Sequence, residues 1–289
     1  MSIALIGFGE VGQVLADDLI ANRHPVQAFD IAFTDPASAQ HRAALARGMV
    51  PHPQIGPALA GARIVFCAVT AAADLDAAAA AADVILPGTF YVDLNSASPG
   101  VKQQAAQSLG SAGARYVEAA VMSPIEPARL ASPMLLGGPH AAGFADLAGP
   151  LGFSSLTVFS DRIGPASATK MCRSVIIKGM EALLTEAMLA ARHHGVEQQV
   201  LASLGNLLPG ADWPALARYM ISRSIEHGVR RAEEMREVAV TVAEAGVQPW
   251  MTEACVERQQ WAPACRDALV HTDLPLFIDA MRKRLGRVG

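Results

Sequence analysis

The 289-residue sequence is poor in charge and in aromatic side chains. Asp, Glu, Lys and Arg make up 17% of the chain and aromatic residues 5%, whereas 52% is hydrophobic, much of it alanine. So much apolar surface excludes a disordered chain. The formal net charge of −4 provides no basic excess, which excludes a generally basic nucleic-acid binder.

Paired cysteines and long hydrophobic runs are also missing. The four cysteines include no Cys-x-x-Cys pair, so the sequence predicts neither a disulfide framework nor a zinc site. We expect no bound metal and a reducing, cytoplasmic location. No stretch of about 18 uncharged apolar residues occurs, and no basic segment precedes the first apolar run. We therefore expect neither a membrane partner nor a signal peptide.

Short apolar runs alternate with helix-compatible stretches in the first half of the chain. This alternation is typical of a parallel sheet covered by helices on both faces. The predicted strands are Ile3–Ile6, Val26–Phe29, Ile64–Val69, Phe90–Leu94, Tyr116–Val121 and Met134–Leu136, with Leu156–Phe159 as a further candidate. The predicted helices between them are Val11–Ala21, Pro36–Arg47, Ala71–Ala82 and Pro99–Ala112. We expect a Rossmann-type, doubly wound α/β domain over residues 1–162.

The second half has the pattern of helices only. One helical stretch runs from Ala166 to His194 without a proline, and Gly195 marks its end. Further helices are predicted at Glu197–Leu208, at Trp213–His227 with continuation toward Ala245, at Thr252–Arg258 and at Leu274–Leu285. We therefore predict an all-α domain over residues 163–289, opening with a long helix between the domains.

A Gly-x-Gly-x-x-Gly motif lies between the first strand and the first helix. In such a motif the first glycine makes a tight turn, the second admits a pyrophosphate and the third lets the helix pack against the strand. The helix N-terminus then faces the anion. The sequence therefore predicts a dinucleotide site. Its predicted contacts are Gly7, Phe8, Gly9, Glu10, Val11, Gly12, Asp30, Val69, Thr70 and Asn95.

Asp30 follows the second strand, at the distance where such sites place an acidic residue. A carboxylate there accepts hydrogen bonds from an adenosine ribose and repels a 2′-phosphate. Ile31, Ala32 and Phe33, which come next, offer no arginine to hold that phosphate. We therefore expect NAD rather than NADP as the cofactor.

Four segments carry a resemblance to a known family. They are the glycine loop, Asp93–Pro99, Met134–Gly138 and Ile163–Lys170. On these segments the chain resembles the β-hydroxyacid dehydrogenases, the group that contains 3-hydroxyisobutyrate and 6-phosphogluconate dehydrogenases. The resemblance implies a Rossmann domain, an all-helical C-terminal domain and a homodimer formed largely through the helices. It also implies that Lys170 is the catalytic acid/base, because Lys170 matches the family's lysine.

The chemistry of a dehydrogenase is a second reason, independent of the resemblance, to consider Lys170 as an acid/base. A lysine removes a hydroxyl proton, while hydride leaves the carbon, when burial lowers its pKa toward neutrality. Lys170 lies in an apolar stretch near the predicted interdomain cleft, and Ser174 and Lys178 follow at helical spacing. We interpret Ser174 and Lys178 as substrate contacts. The alternative for Lys170 is an ordinary exposed helix lysine, and the alternative for Lys178 is a solvated or structural lysine.

Polar residues elsewhere are further substrate-binding candidates. Asn95, Ser96 and Ser123 follow the carboxyl ends of predicted strands, where open α/β sheets bind ligands. Their alternative is a turn with local hydrogen bonds. His227, Arg230, Arg231 and Glu234 share one face of a later helix, where Arg231 would clamp a substrate carboxylate and His227 would share in proton transfer. The alternative for this face is a solvated one with Glu–Arg pairs.

The chain departs from the family pattern in four places. Ser174 replaces an asparagine, Met122–Pro124 replaces a glycine pair, Glu233–Glu234 replaces a Lys-Asp pair, and Ile177 replaces the glutamate of decarboxylating members. The resemblance therefore does not indicate which substrate the chain would use. We predict an NAD-dependent dehydrogenase for a small β-hydroxy acid or sugar acid. The alternatives are an imine reductase-like enzyme that reduces C=N bonds and a dinucleotide-binding sensor without turnover, and Lys170 argues against both.

Overall fold

The computed structural model describes residues 1–206 and 210–285. The chain divides into two compact units, Met1–Met171 and Cys172–Gly289. The division falls inside the long helix Pro165–His194. The predicted domain limits, 1–162 and 163–289, stay a prediction.

The first unit contains one eight-stranded sheet. Its strands are β1 (Ile3–Ile6), β2 (Val26–Phe29), β3 (Pro51–His52), β4 (Ile64–Cys67), β5 (Phe90–Asp93), β6 (Arg115–Val121), β7 (Met134–Gly137) and β8 (Leu156–Ser160). Their spatial order is β3-β2-β1-β4-β5-β6-β7-β8. The α/β class and all seven predicted strands are confirmed, although β4 and β5 end earlier than predicted. The short β3 was missed because two residues carry no periodicity.

The sheet is parallel from β3 to β6 and then reverses. β7 pairs antiparallel with β6, and β8 pairs parallel with β7. The link between β6 and β7 contains only the short 3₁₀ helix Arg129–Ala131, and without a crossover helix the chain turns straight back. The sheet is therefore mostly parallel, and β7 and β8 run opposite to the other strands.

Helices cover both faces of this sheet. They are α1 (Glu10–Ala21), α2 (Ala39–Ala46), α3 (Ile55–Leu59), α4 (Asp74–Ala82), α5 (Pro99–Ser111) and α6 (Ala141–Ala148). One apolar cluster includes Leu5, Phe66 and Phe144, and a second includes Ile6, Val65 and Leu109. Because adjacent residues of β1 and β4 enter opposite clusters, these strands are buried on both faces and read as uninterrupted apolar runs.

The second unit is helical. It contains most of α7 (Pro165–His194), α8 (Glu197–Ser203), α9 (Trp213–Glu244), α10 (Trp250–Trp261) and α11 (Leu274–Leu285), with 3₁₀ helices at Leu204–Asn206 and Ala262–Val270. The last two residues of the predicted helix Glu197–Leu208 lie outside the described residues. Met188, Ile221 and Phe277 lie in its buried core. In the described ranges, 1–206 and 210–285, every helix is too short or too polar to cross a membrane.

Candidate active site

The glycine loop between β1 and α1 is closely packed at two of its three glycines. Gly7 has a φ of +93°, and a Cβ there would overlap the Ala68 carbonyl oxygen. A Cβ on Gly12 would overlap the carbonyl oxygen of Gly7. Both positions therefore require glycine for the fold itself.

Gly9 differs because a Cβ there would meet no atom within 4 Å. Packing within the first unit does not require glycine at this position. Gly9 is also the N-cap of α1, which begins without a side-chain cap. The open space at Gly9 leaves the uncapped N–H groups of α1 accessible to an anion. A pyrophosphate fits such a site, in agreement with the dinucleotide that the motif predicts.

The Asp30 carboxylate ties the glycine loop to the end of β2. Its Oδ2 accepts the Phe8 backbone N–H at 2.7 Å, and its Oδ1 accepts the Ala32 N–H at 2.8 Å. The second bond caps the 3₁₀ helix Ile31–Thr34. The structure therefore places Asp30 beside the glycine loop, as the prediction of a cofactor contact requires.

Asn95 fastens the loop after β4 to the loop after β5. Its Oδ1 accepts the Val69 N–H at 2.7 Å, and its Nδ2 donates to Asp74 Oδ1 at 2.8 Å and to Cys67 Sγ at 3.3 Å. Asn95 is buried, with 4% of its surface exposed. The side chain thus forms hydrogen bonds within the protein that connect the loops at the carboxyl ends of two neighbouring strands. Thr70 is exposed next to this junction.

Lys170 and Ser96 meet within the first unit, although they are far apart in the sequence. The Lys170 Nζ donates to Ser96 Oγ at 2.7 Å. Ser96 follows the carboxyl end of β5, directly after Asn95, and both partners are half-buried. An amine and a hydroxyl at this edge can together hold and exchange a proton.

Glu118, which sequence reasoning missed, fixes the start of the helix that carries Lys170. Its buried carboxylate accepts the N–H groups of Gly164 at 2.8 Å and Ser167 at 2.5 Å. It thus acts as a long-range cap for α7. Gly137 lies opposite it in the β6–β7 register, where a Cβ would come within 2.5 Å of Glu118 Oε2. A single charged residue inside the otherwise uncharged run Tyr116–Val121 was the signal that could have revealed it.

The predicted substrate residues of the helical unit form ion pairs within that unit. Lys178 pairs with Glu234, and Arg231 pairs with Glu181. Burial lowers the pKa of Lys178, and Glu234 opposes the shift. Burial likewise lowers the pKa of Arg231. The substrate-binding roles of Lys178 and Arg231 stay a prediction.

Other predicted residues have local partners or are buried. The Ser123 hydroxyl donates to the Pro124 carbonyl at 2.9 Å, a bond within a turn. Ser174 is buried on α7. His227 is half-buried and has its Nε2 3.7 Å from Glu226 Oε2, while Arg230 pairs with Glu234 at 2.7 Å. Their roles toward a substrate also stay predictions. In the part of the chain that the structure describes, no three His, Cys, Asp or Glu residues converge as metal ligands would.

The sheet, the glycine loop and the residues at the strand ends define a Rossmann-type, dinucleotide-binding fold. A model of the NAD binding domain of 6-phosphogluconate dehydrogenase matches residues 2–148, and a model described as a domain of unknown function (DUF1932) matches residues 191–262. The chain belongs to the β-hydroxyacid dehydrogenase family, as a divergent member. The predicted resemblance is thereby confirmed.

Individual relatives agree with this assignment. Mitochondrial 3-hydroxyisobutyrate dehydrogenase of Drosophila melanogaster is 24% identical over 215 residues, which is 73% of this chain and 65% of that protein. The chain thus matches slightly less than two thirds of that relative's length. A conserved hypothetical protein of Sinorhizobium meliloti 1021 is 34% identical, with a TM-score of 0.77 and coverage of 98% of this chain and 96% of that one.

An imine reductase of Streptomyces aurantiacus shares the fold. Its TM-score is 0.58 at 19% identity, with 97% of this chain and 99% of that chain covered. At that identity the likeness shows a shared fold. The family model over residues 2–148 supports an NAD-binding domain in this chain.

Proposed function

We propose that the chain is an NAD-dependent dehydrogenase that oxidises a small β-hydroxy acid or sugar acid, with Lys170 as the general acid/base. The contact that carries this proposal is the 2.7 Å hydrogen bond from Lys170 Nζ to Ser96 Oγ. It lies at the carboxyl end of β5, the sheet edge at which the glycine loop and the Val69 loop also lie. Family membership supports the redox chemistry, and the geometry supports the proton transfer.

The proton step needs only residues of this chain. When bound, the nicotinamide of the cofactor supplies the hydride acceptor. Neutral Lys170 takes the proton from the substrate hydroxyl, and its ammonium returns that proton to the oxygen in the reverse direction. The Ser96 hydroxyl accepts a hydrogen bond from the amine and thereby orients it. The same hydroxyl would hydrogen-bond the hydroxyl of the substrate. Glu118 fixes the first turn of α7 and thereby sets the point from which Lys170 extends.

Replacing Lys170 tests this assignment. Lys170→Ala should lower kcat by about 10²–10⁴, the usual contribution of a positioned acid/base, and leave cofactor affinity nearly intact. Lys170→Arg should fail almost as badly, because a guanidinium with a pKa above about 12 does not release its proton. Lys283→Ala, on the exposed side of α11, is a matched control that should keep wild-type turnover.

The assay is a panel of hydroxy acids and sugar acids with NAD or NADP, and of cyclic imines with NADH or NADPH, followed by the rise or fall in absorbance of the reduced cofactor. Turnover of a hydroxy acid by the wild type, with loss in both Lys170 variants, supports the proposal. Wild-type turnover in either variant, with an unchanged pH profile, would contradict the role of Lys170. Reduction of imines without oxidation of any hydroxy acid would contradict the substrate class.

A homodimer is part of the same proposal. Helical residues of the second unit leave large apolar side chains exposed, among them Trp250 at 73% and Met251 at 64%. Exposed apolar groups of this size on one domain are typical of an interaction surface. Sedimentation at micromolar concentration should give a mass near twice 30.2 kDa. A monomer would contradict the dimer.

A cytoplasmic location is also part of the proposal. The structure contains four free thiols, those of Cys67, Cys172, Cys255 and Cys265. Free thiols are typical of proteins in a reducing compartment, which supports this location.

A further inference from the structure

A completely buried ionic cluster lies behind the strand-end loops of the first unit. Lys102 on α5 is 1% exposed, and Asp74 and Asp93 are 0% exposed. The Lys102 Nζ lies 2.5 Å from Asp93 Oδ1 and 3.3 Å from Asp74 Oδ2. Removing three charges from water costs more than such contacts ordinarily return. The cluster is therefore poorly explained by fold stability alone.

The charges of this cluster depend on one another. Burial alone would lower the pKa of Lys102, but Asp93 and Asp74 outweigh burial and raise it. Burial raises the pKa of Asp74 to about 6, although Lys102 opposes the shift. Lys102 is therefore the main group that favours the ionised Asp74 carboxylate, and the hydrogen bond from Asn95 favours it as well.

The ionised Asp74 dictates how Asn95 is oriented. A carboxylate accepts hydrogen bonds and donates none, so the Asn95 Nδ2 must point at Asp74 Oδ1, which it reaches at 2.8 Å. The Asn95 Oδ1 is then turned to the Val69 N–H at 2.7 Å. Asp93 Oδ1 holds the same residue from the other side, because it accepts the Asn95 backbone N–H at 2.9 Å.

The loop that Asn95 holds is in contact with the glycine loop. Val69 lies in the segment 68–70 after β4, and the Ala68 carbonyl packs so closely on Gly7 that a side chain there would overlap it. A change at Asn95 is thereby passed to the two backbone segments that the motif assigns to the cofactor. We propose that Lys102, Asp74 and Asn95 form a positioning relay that holds segment 68–70 for dinucleotide binding. This inference rests on the proposed function for its ligand, and on the hydrogen bonds above for its geometry.

The relay is tested by two variants and a control. In Lys102→Met the Asp74 carboxyl loses its cation and takes up a proton, so that it no longer enforces the amide orientation. Asp74→Asn is the milder change, because the new amide presents either a donor or an acceptor to Asn95. Thr89→Val is the matched control. Thr89 is buried in the same unit and donates to the Ala62 carbonyl at 3.2 Å, before the amino end of β5.

Hydrogen exchange of the peptide over residues 64–72 is the first measurement, and it needs no cofactor. Both variants should lose protection in this peptide, because the Val69 N–H loses its fixed acceptor, whereas Thr89→Val should keep it. Calorimetric titration with NAD is the second measurement. The dissociation constant should rise about tenfold in Lys102→Met, as expected for one lost buried hydrogen bond, and by less in Asp74→Asn.

A pH series separates this role from a merely structural one. The titratable and charged groups that face Asp74 are Lys102 on α5, Asp93 and Tyr91 on β5, Cys67 on β4 and Tyr116 on β6. Burial raises the pKa of Cys67 to about 12 and holds those of Tyr91 and Tyr116 well above their usual value, so these three stay neutral. Wild-type NAD affinity should fall from about pH 7.5 to about pH 5 as Asp74 takes up its proton. Asp74→Asn should remove that part of the pH dependence.

The outcomes separate the relay from the proposed function. Unchanged exchange over residues 64–72 and NAD affinity within about twofold of wild type, in either folded variant, overturn the relay. Lost protection with weakened NAD binding supports it. A third outcome is that the variants lose protection over residues 64–72 while the wild type binds neither NAD nor NADP. This outcome overturns the proposed function and the role of the relay in cofactor binding. It still establishes the structural link from Asp74 to Val69.

Discussion

Each unit of the molecule buries a lysine beside carboxylates, with opposite results. In the first unit Lys102 lies between Asp93 and Asp74, and its pKa is raised. In the second unit burial lowers the pKa of Lys178, which pairs with Glu234 while Arg231 and Arg230 repel its charge. Burial favours the neutral amine in both places, so the neighbouring charges decide the outcome.

This comparison shows why burial alone does not identify a catalytic lysine. Lys102 is the more deeply buried of the two, yet two carboxylates keep it charged, and a permanently charged amine cannot accept a proton. Its role is to hold other groups in place. The proposed acid/base, Lys170, is instead half-buried and donates to a hydroxyl at a strand end.

We expect the largest difference between the two units when each buried lysine is replaced by methionine and the free energy of unfolding is compared. Lys102→Met leaves Asp74 and Asp93 buried without their cation, so we expect the free energy of unfolding to fall by about 3–5 kcal/mol. Lys178→Met leaves Glu234 with its 2.7 Å partner Arg230, so the loss there should be only about 1 kcal/mol. Denaturant unfolding of the two variants measures both. Equal losses would contradict the difference that we draw between the clusters.

Glu118 extends the comparison to a buried carboxylate held by backbone N–H groups. Glu118→Gln keeps the shape but offers one acceptor oxygen to the N–H groups of Gly164 and Ser167, so unfolding should become easier by about 1–3 kcal/mol. Because α7 carries Lys170, kcat should fall while the affinity for NAD stays the same. Thr169→Ala, on the exposed side of the same helix turn, is the control. A Gln variant with weakened NAD binding and unchanged kcat would show that Glu118 acts elsewhere.

Asp74 should leave a signature in the pH dependence of stability. Its pKa is raised from 3.8 to about 6, so the folded chain binds this proton more tightly than the unfolded chain. Its contribution to stability is therefore fully present below about pH 3.8 and is lost as the pH rises through about 6. The difference in unfolding free energy between wild type and Asp74→Asn should change across this interval. A difference that stays constant from pH 4 to 7 would contradict the raised pKa of about 6.

The choice of cofactor should have a smaller effect than the loss of Lys102. In the proposed function the Asp30 carboxylate would favour a free 2′-hydroxyl, and Ile31, Ala32 and Phe33 supply no cation for a 2′-phosphate. NAD should therefore exceed NADP by at least about tenfold in kcat/KM, or about 1.4 kcal/mol. Asp30→Ser should narrow that ratio. Equal use of the two cofactors by the wild type would refute this interpretation of Asp30.

The sequence predicted the features that depend on neighbouring residues. Apolar runs identified β1 and β4 because both faces of these strands are buried, and the spacing of Gly7 and Gly12 identified a turn that the packing requires. The reversal at β7 was missed because strand direction depends on the missing crossover helix rather than on the strand's own residues.

Contacts between distant residues were beyond the reach of sequence patterns. Lys102 lies on a helix of ordinary polar composition, and nothing in its neighbours predicts Asp74 and Asp93 as partners. Asn95 and Val69 were both predicted as site residues. The hydrogen bond from the Val69 N–H to the Asn95 side chain was not predicted. Such pairs form only when neighbouring strands bring their ends together.

The bond from Phe8 to Asp30 bears on how quickly a ligand could enter. Contacts within the first unit hold the glycine loop, because the Phe8 N–H donates to Asp30 at 2.7 Å and Gly7 packs against the Ala68 carbonyl. A loop held in this way needs little further ordering when a ligand binds. Association should then be governed by diffusion and by the repulsion between a net charge of −4 and an anionic dinucleotide. Added salt would speed that encounter by screening the repulsion.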